Sequence, residues 1–429
     1  MLTCVYNTFL QKLYQMEDRI VKKSRKSTKS SLSVLRQMCN LIPAYLVPKL
    51  AARFGVDKKA RSFTPWSHLV ALLFAHFSHA SSLNDVCDAL KTHRSLFARI
   101  RGAIVPSKNA LSHANRNRDP AMTEAIFYAL LDQLAELSPR FGGRTFRGMP
   151  RRFKRAIYAI DSSTIRLVVN CIDWAKHRRR KAAAKLHLRL DLRSYLPAFA
   201  IVDTAGHNDN RRAREMCADL KDGEIALFDK AYVDFVHLLD LTRRGVFWVT
   251  RAKENMAYRV RRRNIKKRQG NILRDDLVVL TGPQSREHYS ETFRLVRAIV
   301  EIDGKLREMT FITNNLDWAA SSIADLYKSR WAIEMFFKEI KQTLQLSDFL
   351  GHNRSAVQWQ VWTALIAYLL LRFQAFQHSW KHGFKRFFCL IRSNLWSKHG
   401  IASLIEFCGT ARGSPAHSEI VRPGYLPGY

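Results

Sequence analysis

Acidic residues are scarce in this chain. Asp and Glu number 36 against 71 Lys and Arg among 429 residues, a formal net charge of +35. Such an excess repels itself until something anionic neutralises it. Nucleic acid is the natural candidate, because Lys and Arg on phosphates release condensed counterions; an anionic membrane surface is the rival. Long apolar runs are also missing. The best window, Val361 to Phe373, is about half of the ~20 residues a bilayer span needs. Met1, Leu2 and Val5 are followed by Lys12, Glu17 and Asp18, with no cleavable signal pattern. We therefore expect a soluble, cytoplasmic protein with no membrane partner. Cysteine is sparse and badly spaced for bridges: Cys4, Cys39, Cys87, Cys171, Cys217, Cys389 and Cys408 are odd in number and contain no C-x-x-C. That argues against a disulfide framework and against a zinc site, and for reduced, mostly buried thiols. No internal repeat is visible. Apolar residues at 47% and charged residues at 25% exclude a wholly disordered chain.

What is present changes character along the chain. Residues 21–32 are basic and Ser-rich, and read as an exposed arm. Residues 33–137 are helical in pattern: Trp66, Leu69, Leu72, Leu73 and Phe77 recur at three- and four-residue steps. Ser82 caps a run from Leu83 to Leu90. Ser107 precedes a polar helix with His113, Asn115, Arg116, Asn117 and Arg118, and Met122 to Leu137 gives one more. Exposed Arg and Asn on such helices suit a DNA groove, although a plain helical domain with a solvated face reads equally well. A Gly/Pro break follows at 138–152. Ala156 to Ile160 is then a short strand ending in Asp161. Leu186 to Leu192 alternates with polar residues, Ala198 to Val202 makes the next strand, and Ile225 to Phe228 is a buried strand ending in Asp229. Helices are expected over Arg212–Leu220 and Val233–Arg244, with a strand at Val246–Val249 after the second. From 257 to 315 the pattern is β, with Asp303-Gly304 as a hairpin signal and a basic run through Arg261, Arg262, Arg263, Lys266, Lys267 and Arg268. A long helix is expected from Ser322 to about Gln345, another apolar helix after Gly351, and a mobile Gly/Pro tail.

Two strands ending in aspartate place Asp161 and Asp229 where open α/β sheets bind ligands. Two hard carboxylates there suit Mg²⁺. A single Asp at such a place most often caps a loop or helix, and Asp203 and Asp209 are rivals. Tyr327, Arg330, Glu334 and Lys341 stand at offsets 0, 3, 7 and 14, within about 60° of one another on an ideal helix. Lys338 extends the stripe. The bland reading is an i, i+4 Arg330–Glu334 pair worth a few tenths of a kcal/mol; the functional one is a third metal ligand among phosphate-gripping cations.

The set Tyr327-x₂-Arg330-x₃-Glu334-x₆-Lys341, with Asp161 and Asp229 upstream, resembles the DDE transposases of bacterial insertion sequences, specifically the insertion-sequence-four family with its Tyr-Arg-Glu-Lys signature. Similar local text occurs at Asp161-Ser162-Ser163-Thr164, at Trp174-Ala175-Lys176 with Lys185-Leu186-His187, at Asp229-Lys230-Ala231-Tyr232 and at Arg330-Trp331. The resemblance covers roughly residues 40–375. It implies an α/β, ribonuclease H-like mixed-sheet core interrupted by a β-rich insertion and preceded by an all-α N-terminal domain. The corresponding division is 1–32 arm, 33–140 helical DNA-binding domain, 151–252 first core part, 253–318 insertion, 319–380 second core part and 381–429 C-terminal segment. It further implies that Asp161, Asp229 and Glu334 are catalytic and hold two Mg²⁺ (or Mn²⁺), while Tyr327, Arg330 and Lys341 bind DNA. The activity would be cleavage at the element's ends and strand transfer of the 3′-hydroxyl to target DNA, by a homodimer in a synaptic complex on nucleoid DNA; a hairpin intermediate follows by resemblance alone. Related enzymes stack a tryptophan of the insertion on a flipped base. Trp248 and Trp318 are the candidates here, and core packing explains each better. The alternatives are a nuclease of the same fold without strand transfer, and a non-enzymatic DNA-binding regulator.

Overall fold

The computed structural model describes residues 29–58, 60–142, 152–167, 176–178, 181–204, 209–302, 304–344, 346 and 350–408. Most of the basic arm, most of the Gly/Pro break, Cys4, Cys171, Trp174, Asp303 and the Gly/Pro tail lie outside the described residues, as do the side chains of Asp209 and Cys408.

Among the described residues seven helices precede the strands: α1 (Val34–Asn40), α2 (Leu46–Arg53), α3 (Pro65–Ser78), α4 (Leu83–Thr92), α5 (Arg94–Ala98), α6 (Lys108–Asn117) and α7 (Ala121–Leu137). Their starts are written in the sequence. The hydroxyls of Ser33, Thr64, Ser82 and Ser107 accept backbone N–H bonds from the first turns of α1, α3, α4 and α6, satisfying donors that have no partner within the helix. The expected groove-facing set on α6 divides. His113, Arg116 and Asn117 are exposed, but Asn115 is buried and its Oδ1 lies 2.8 Å from His68 Nε2. Arg118 also turns inward, donating to the Phe63 and Thr64 carbonyls ahead of α3.

Ten strands form one sheet: β1 (Ile157–Leu167), β2 (Lys176–Arg178), β3 (Lys181–Asp191), β4 (Leu196–Thr204), β5 (Ile225–Phe228), β6 (Phe247–Arg251), β7 (Tyr258–Arg263), β8 (Ile272–Leu280), β9 (Phe293–Ile302) and β10 (Lys305–Thr313). The order is β2-β3-β1-β5-β6-β10-β9-β8-β7, with β4 also on β3. β1, β5 and β6 run parallel at the centre, and the remaining pairings are antiparallel. Residues 258–313 therefore continue the central sheet through the β6–β10 ladder. Gly304 takes φ 70 at the β9–β10 turn, a backbone region open to glycine without steric cost. β1 does not end at Asp161 as its apolar run suggests. It loses β5 after Ile160 but keeps its ladder with β3 to Leu167.

Between the strands lie α8 (Asp209–Met216), α9 (Phe235–Arg243) and α10 (Pro283–His288). The expected long helix is divided into α11 (Ala320–Ser329), α12 (Trp331–Lys338) and a π turn at Glu339–Thr343. At the first division Ser329 Oγ donates to the Leu326 carbonyl at 2.6 Å, and Arg330 N bonds three residues back, to Tyr327. A hydroxyl competing for helix carbonyls disturbs the regular ladder in this way. α13 (Arg354–Gln377), α14 (Phe384–Ser393) and α15 (Ile401–Cys408) follow.

α13 joins the two halves of the molecule. It packs on α3, α6 and α7 and also touches β4. Trp359 Nε1 donates to the Arg118 carbonyl at 2.9 Å, while Tyr368 Oη donates to the Tyr195 carbonyl at 3.1 Å. His76, buried in α3, has its ring nitrogens 3.0 Å from the Leu344 and Gln360 carbonyls. The N-terminal helices and α13 thus share one apolar core. Cys39, Cys87 and Cys217 are buried and Cys389 exposed, all as free thiols.

Candidate active site

The parallel register brings the first two carboxylates together. Its last pair is Ile160 with Phe228, so Asp161 and Asp229 each stand one residue beyond it. Strand neighbours are about 4.8 Å apart. Asp229 also precedes a short 3₁₀ turn at Lys230–Tyr232, yet its side chain makes no cap bond there. Instead its Oδ1 accepts from Tyr327 Oη at 3.2 Å. That observation removes the simple capping role for Asp229.

Arg330, only 8% exposed, gathers the other groups. Its NH1 donates to Asp161 Oδ2 at 3.1 Å and its NH2 to Glu334 Oε1 at 2.6 Å. The guanidinium carbon lies 5.5 Å from the centre of the Tyr327 ring. Asp161 Oδ1 accepts from the Ser162 N–H at 2.7 Å. Lys341 reaches β1 from the π turn, its Nζ donating to the Thr164 carbonyl at 2.7 Å. Tyr327, Arg330 and Glu334 thus meet Asp161 and Asp229, Lys341 stands three residues along β1, and Lys338 is exposed.

The electrostatics follow first from burial, and then from two carboxylates sharing one arginine with a third close by. Burial pushes the Asp161 carboxyl up to about 6; Arg330 and the Ser162 N–H pull it down, while Asp229 and Glu334 push it further up. Burial opposes the charge on Arg330, but Tyr327, Asp161 and Glu334 outweigh it and its pKa is raised. Burial raises the Tyr327 phenol, with Arg330 and Arg251 opposing and Asp229 assisting.

The donor set is all oxygen and carries more negative than positive charge, the chemistry a hard divalent cation requires. Among the described residues, however, no group of three His, Cys, Asp or Glu side chains is arranged to hold a metal ion. Asp161 and Glu334 converge on Arg330, and Asp229 is held by Tyr327, rather than all three on one point.

The rival Asp203 is taken up elsewhere: Arg212 holds it in an ion pair and bonds Glu215 as well. Trp248 is fully buried, its Nε1 donating to Thr242 Oγ1 at 2.9 Å. Trp318 packs against Phe153 and Phe247. One neighbour escaped the sequence reading. Arg251 follows the apolar strand Val246–Val249 much as Asp229 follows Ile225–Phe228, and that parallel is the signal that could have found it.

Comparison with known proteins gives the family. The family described as "Transposase DDE domain" matches residues 152–370, just over half of the chain. The chain belongs to the DDE-domain transposases. A protein of Sinorhizobium fredii named as a transposase, y4zB, is 32% identical over 302 residues, which are 70% of this chain and 80% of that one. A protein of Synechocystis sp. named as a transposase for insertion sequence element IS4SA is 25% identical over 65% of this chain and 75% of its own. Transposase InsG of insertion sequence element IS4 from Escherichia coli is 28% identical over 44% of this chain and 43% of its own. This transposase is therefore of the insertion-sequence kind, with the insertion-sequence-four group among its relatives. The matched domain takes in all ten strands, Asp161, Asp229 and Glu334. A second family, "Domain of unknown function (DUF4372)", matches residues 30–100, across α1 to α5. No helix among the transposase's described residues is long and apolar enough to cross a membrane.

Proposed function

We propose that the protein binds the ends of its own insertion sequence, cuts them in a metal-dependent step and joins the freed 3′-hydroxyl to target DNA. The observation that carries this is the convergence of carboxylates from β1, β5 and α12 on Arg330 and Tyr327. The strand order β4-β3-β1-β5-β6, with β3 antiparallel to its parallel neighbours, supports a ribonuclease H-like core, into which 253–318 inserts its strands.

Asp161, Asp229 and Glu334 would hold two Mg²⁺ or Mn²⁺, which when bound supply an activated nucleophile and charge stabilisation for the leaving oxygen. The chain's own groups do the positioning. Arg330 presents a planar fork suited to phosphate as well as carboxylate, and with DNA in place it turns to the phosphate next to the scissile bond. Lys341 grips the same strand from the β1 side. Tyr327 packs below and fixes Asp229 through its hydroxyl. Residues 33–140, with the exposed His113, Arg116 and Asn117, recognise the element ends. Two copies act together, since two ends are cut, and they work on DNA in the cytoplasm.

The test is incubation of the full chain with duplexes carrying the flanking repeats of its own element, with and without Mg²⁺. Cutting at the ends and joining to a second duplex are expected only with the metal. Cutting without joining would make it a nuclease. End binding without cutting would make it a regulator.

A further inference from the structure

The carboxylates have cations on one side that the signature names, Arg330 and Lys341, both reaching toward β1. On the other side of Asp229 lies β6, whose register with β5 runs Ile225–Phe247, Ala226–Trp248, Leu227–Val249. The ladder ends there, and Asp229 and Arg251 each stand two residues beyond its last pair, at the same edge of the sheet. Arg251 also pairs with Phe311 on β10, and the Phe311 ring packs 4.9 Å from that of Tyr327. Arg251 therefore borders the same tyrosine that bonds Asp229. It is half-buried, yet its side chain makes no hydrogen bond or ion pair to any described residue. Its cationic neighbours are engaged: Lys253 donates to the Val233 carbonyl at 2.8 Å, and Lys230 lies 3.7 Å from Glu254. A half-buried guanidinium that lies close to the carboxylates yet bonds none of them is matched to an anion that arrives with the substrate.

We propose that Arg251 contacts a backbone phosphate of the DNA strand being cut, on the opposite side of the scissile bond from Arg330 and Lys341. Resting on the transposase reading, this makes the strand cross the ends of β1, β5 and β6 in turn. Across two strand spacings, about 10 Å, cations then flank the carboxylates on both sides. The polynucleotide is held at two points and the bond between them is presented to the carboxylates. The chemical class recognised is a phosphodiester, with no base preference.

The experiment uses full-length protein and a duplex bearing an element end. Single-turnover cutting in Mg²⁺ and end binding in Ca²⁺ are measured for wild type, Arg251→Met and Arg251→Lys. Each is tested on DNA with one phosphate at a time replaced by neutral methylphosphonate. Arg251→Met, which keeps the apolar stem, is expected to cut about 10- to 100-fold more slowly, with Arg251→Lys recovering part of the loss. Neutralising the far-side phosphate should slow wild type by a similar factor and Arg251→Met no further, whereas neutralising the Arg330-side phosphate should slow both. A packing role would instead lower the unfolding midpoint and leave the losses additive at every phosphate. That result, or wild-type cutting by Arg251→Met, overturns the proposal. Should Arg251→Met melt early, Arg251→Lys is read against the same phosphates: a far-side effect weaker than in wild type upholds the contact, and an equal one overturns it. Wild-type protein that cuts no element end overturns the transposase reading and this contact with it.

Discussion

Two arginines in this molecule each hold carboxylates, and they do opposite jobs. Arg294 on β9 and Asp275 on β8 are 6% and 5% exposed and meet through two bonds of 2.7 Å. The remaining Arg294 nitrogen donates to the Leu316 and Trp318 carbonyls, and Asp275 takes a further bond from Asn264. One cation meets one anion, and the free lone pairs and protons are satisfied. Arg330 meets Asp161 and Glu334, 19% and 34% exposed, with Asp229 nearby and its own Nε buried without a hydrogen-bond partner. The charges there do not balance and the anions reach solvent. A matched, closed pair fixes the fold, whereas an unmatched, open one leaves carboxylate to spare for something that arrives later.

The comparison breaks most visibly in activity. Glu334→Ala and Asp229→Ala should each lower end cutting by about 10³-fold or more while binding survives, and the double variant should be scarcely worse than either, as for residues acting as a unit. Asp275→Asn should leave cutting of whatever protein folds near the wild-type level. A Glu334→Ala protein that still cuts would reduce Glu334 to a helix partner of Arg330.

Stability should divide the clusters the other way. Arg294→Ala strands a buried carboxylate and should cost about 3–5 kcal/mol in urea unfolding. Arg330→Ala should cost clearly less, because Asp161 and Glu334 can hydrate. Equal losses would mean that the two clusters are of one kind.

The smallest effect is in pH. Asp161 binds its proton more tightly folded than unfolded, its pKa rising from an ordinary 3.8 to about 6. Its contribution is therefore fully present below about pH 4 and is lost as pH rises through about 6. Relative to Asp161→Asn, wild type should lose no more than about 3 kcal/mol across that window and stay level above pH 7. Denaturant midpoints at pH 4, 5, 6 and 7 check it, and a difference constant with pH would mean that burial does not hold the Asp161 proton.

Much of this was legible because the signals are local. Ser82 and Ser107 announce helices through their own hydroxyls, and Ile225 to Phe228 reads as a buried strand ending in Asp229. The offsets of Tyr327, Arg330 and Glu334 place them on one helical edge even though the helix is divided at Arg330. The features that escaped depend on distant partners. β1 continues past Asp161 only because β3 stays beside it. Asn115 and Arg118 turn inward because His68 and the start of α3 lie there, which no spacing reveals. Residues 258–313 look like a separate β segment until β10 is seen paired with β6. Arg251 gains meaning only when the β5–β6 register brings it to the same sheet edge as Asp229.

The placement of α13 bears on how the chain is made. Helices α1 to α7 leave the ribosome before the sheet, but their core is completed by Trp359, Trp362 and the leucines of a helix that ends at Gln377. At about 5–20 residues per second, synthesis from 138 to 377 takes on the order of 10–50 s. For that interval the nascent N-terminal helices expose the apolar surface reserved for α13, while the whole sheet is built behind them. The helical part is thus completed only after the sheet, and a product truncated before α13 is expected to expose that apolar surface.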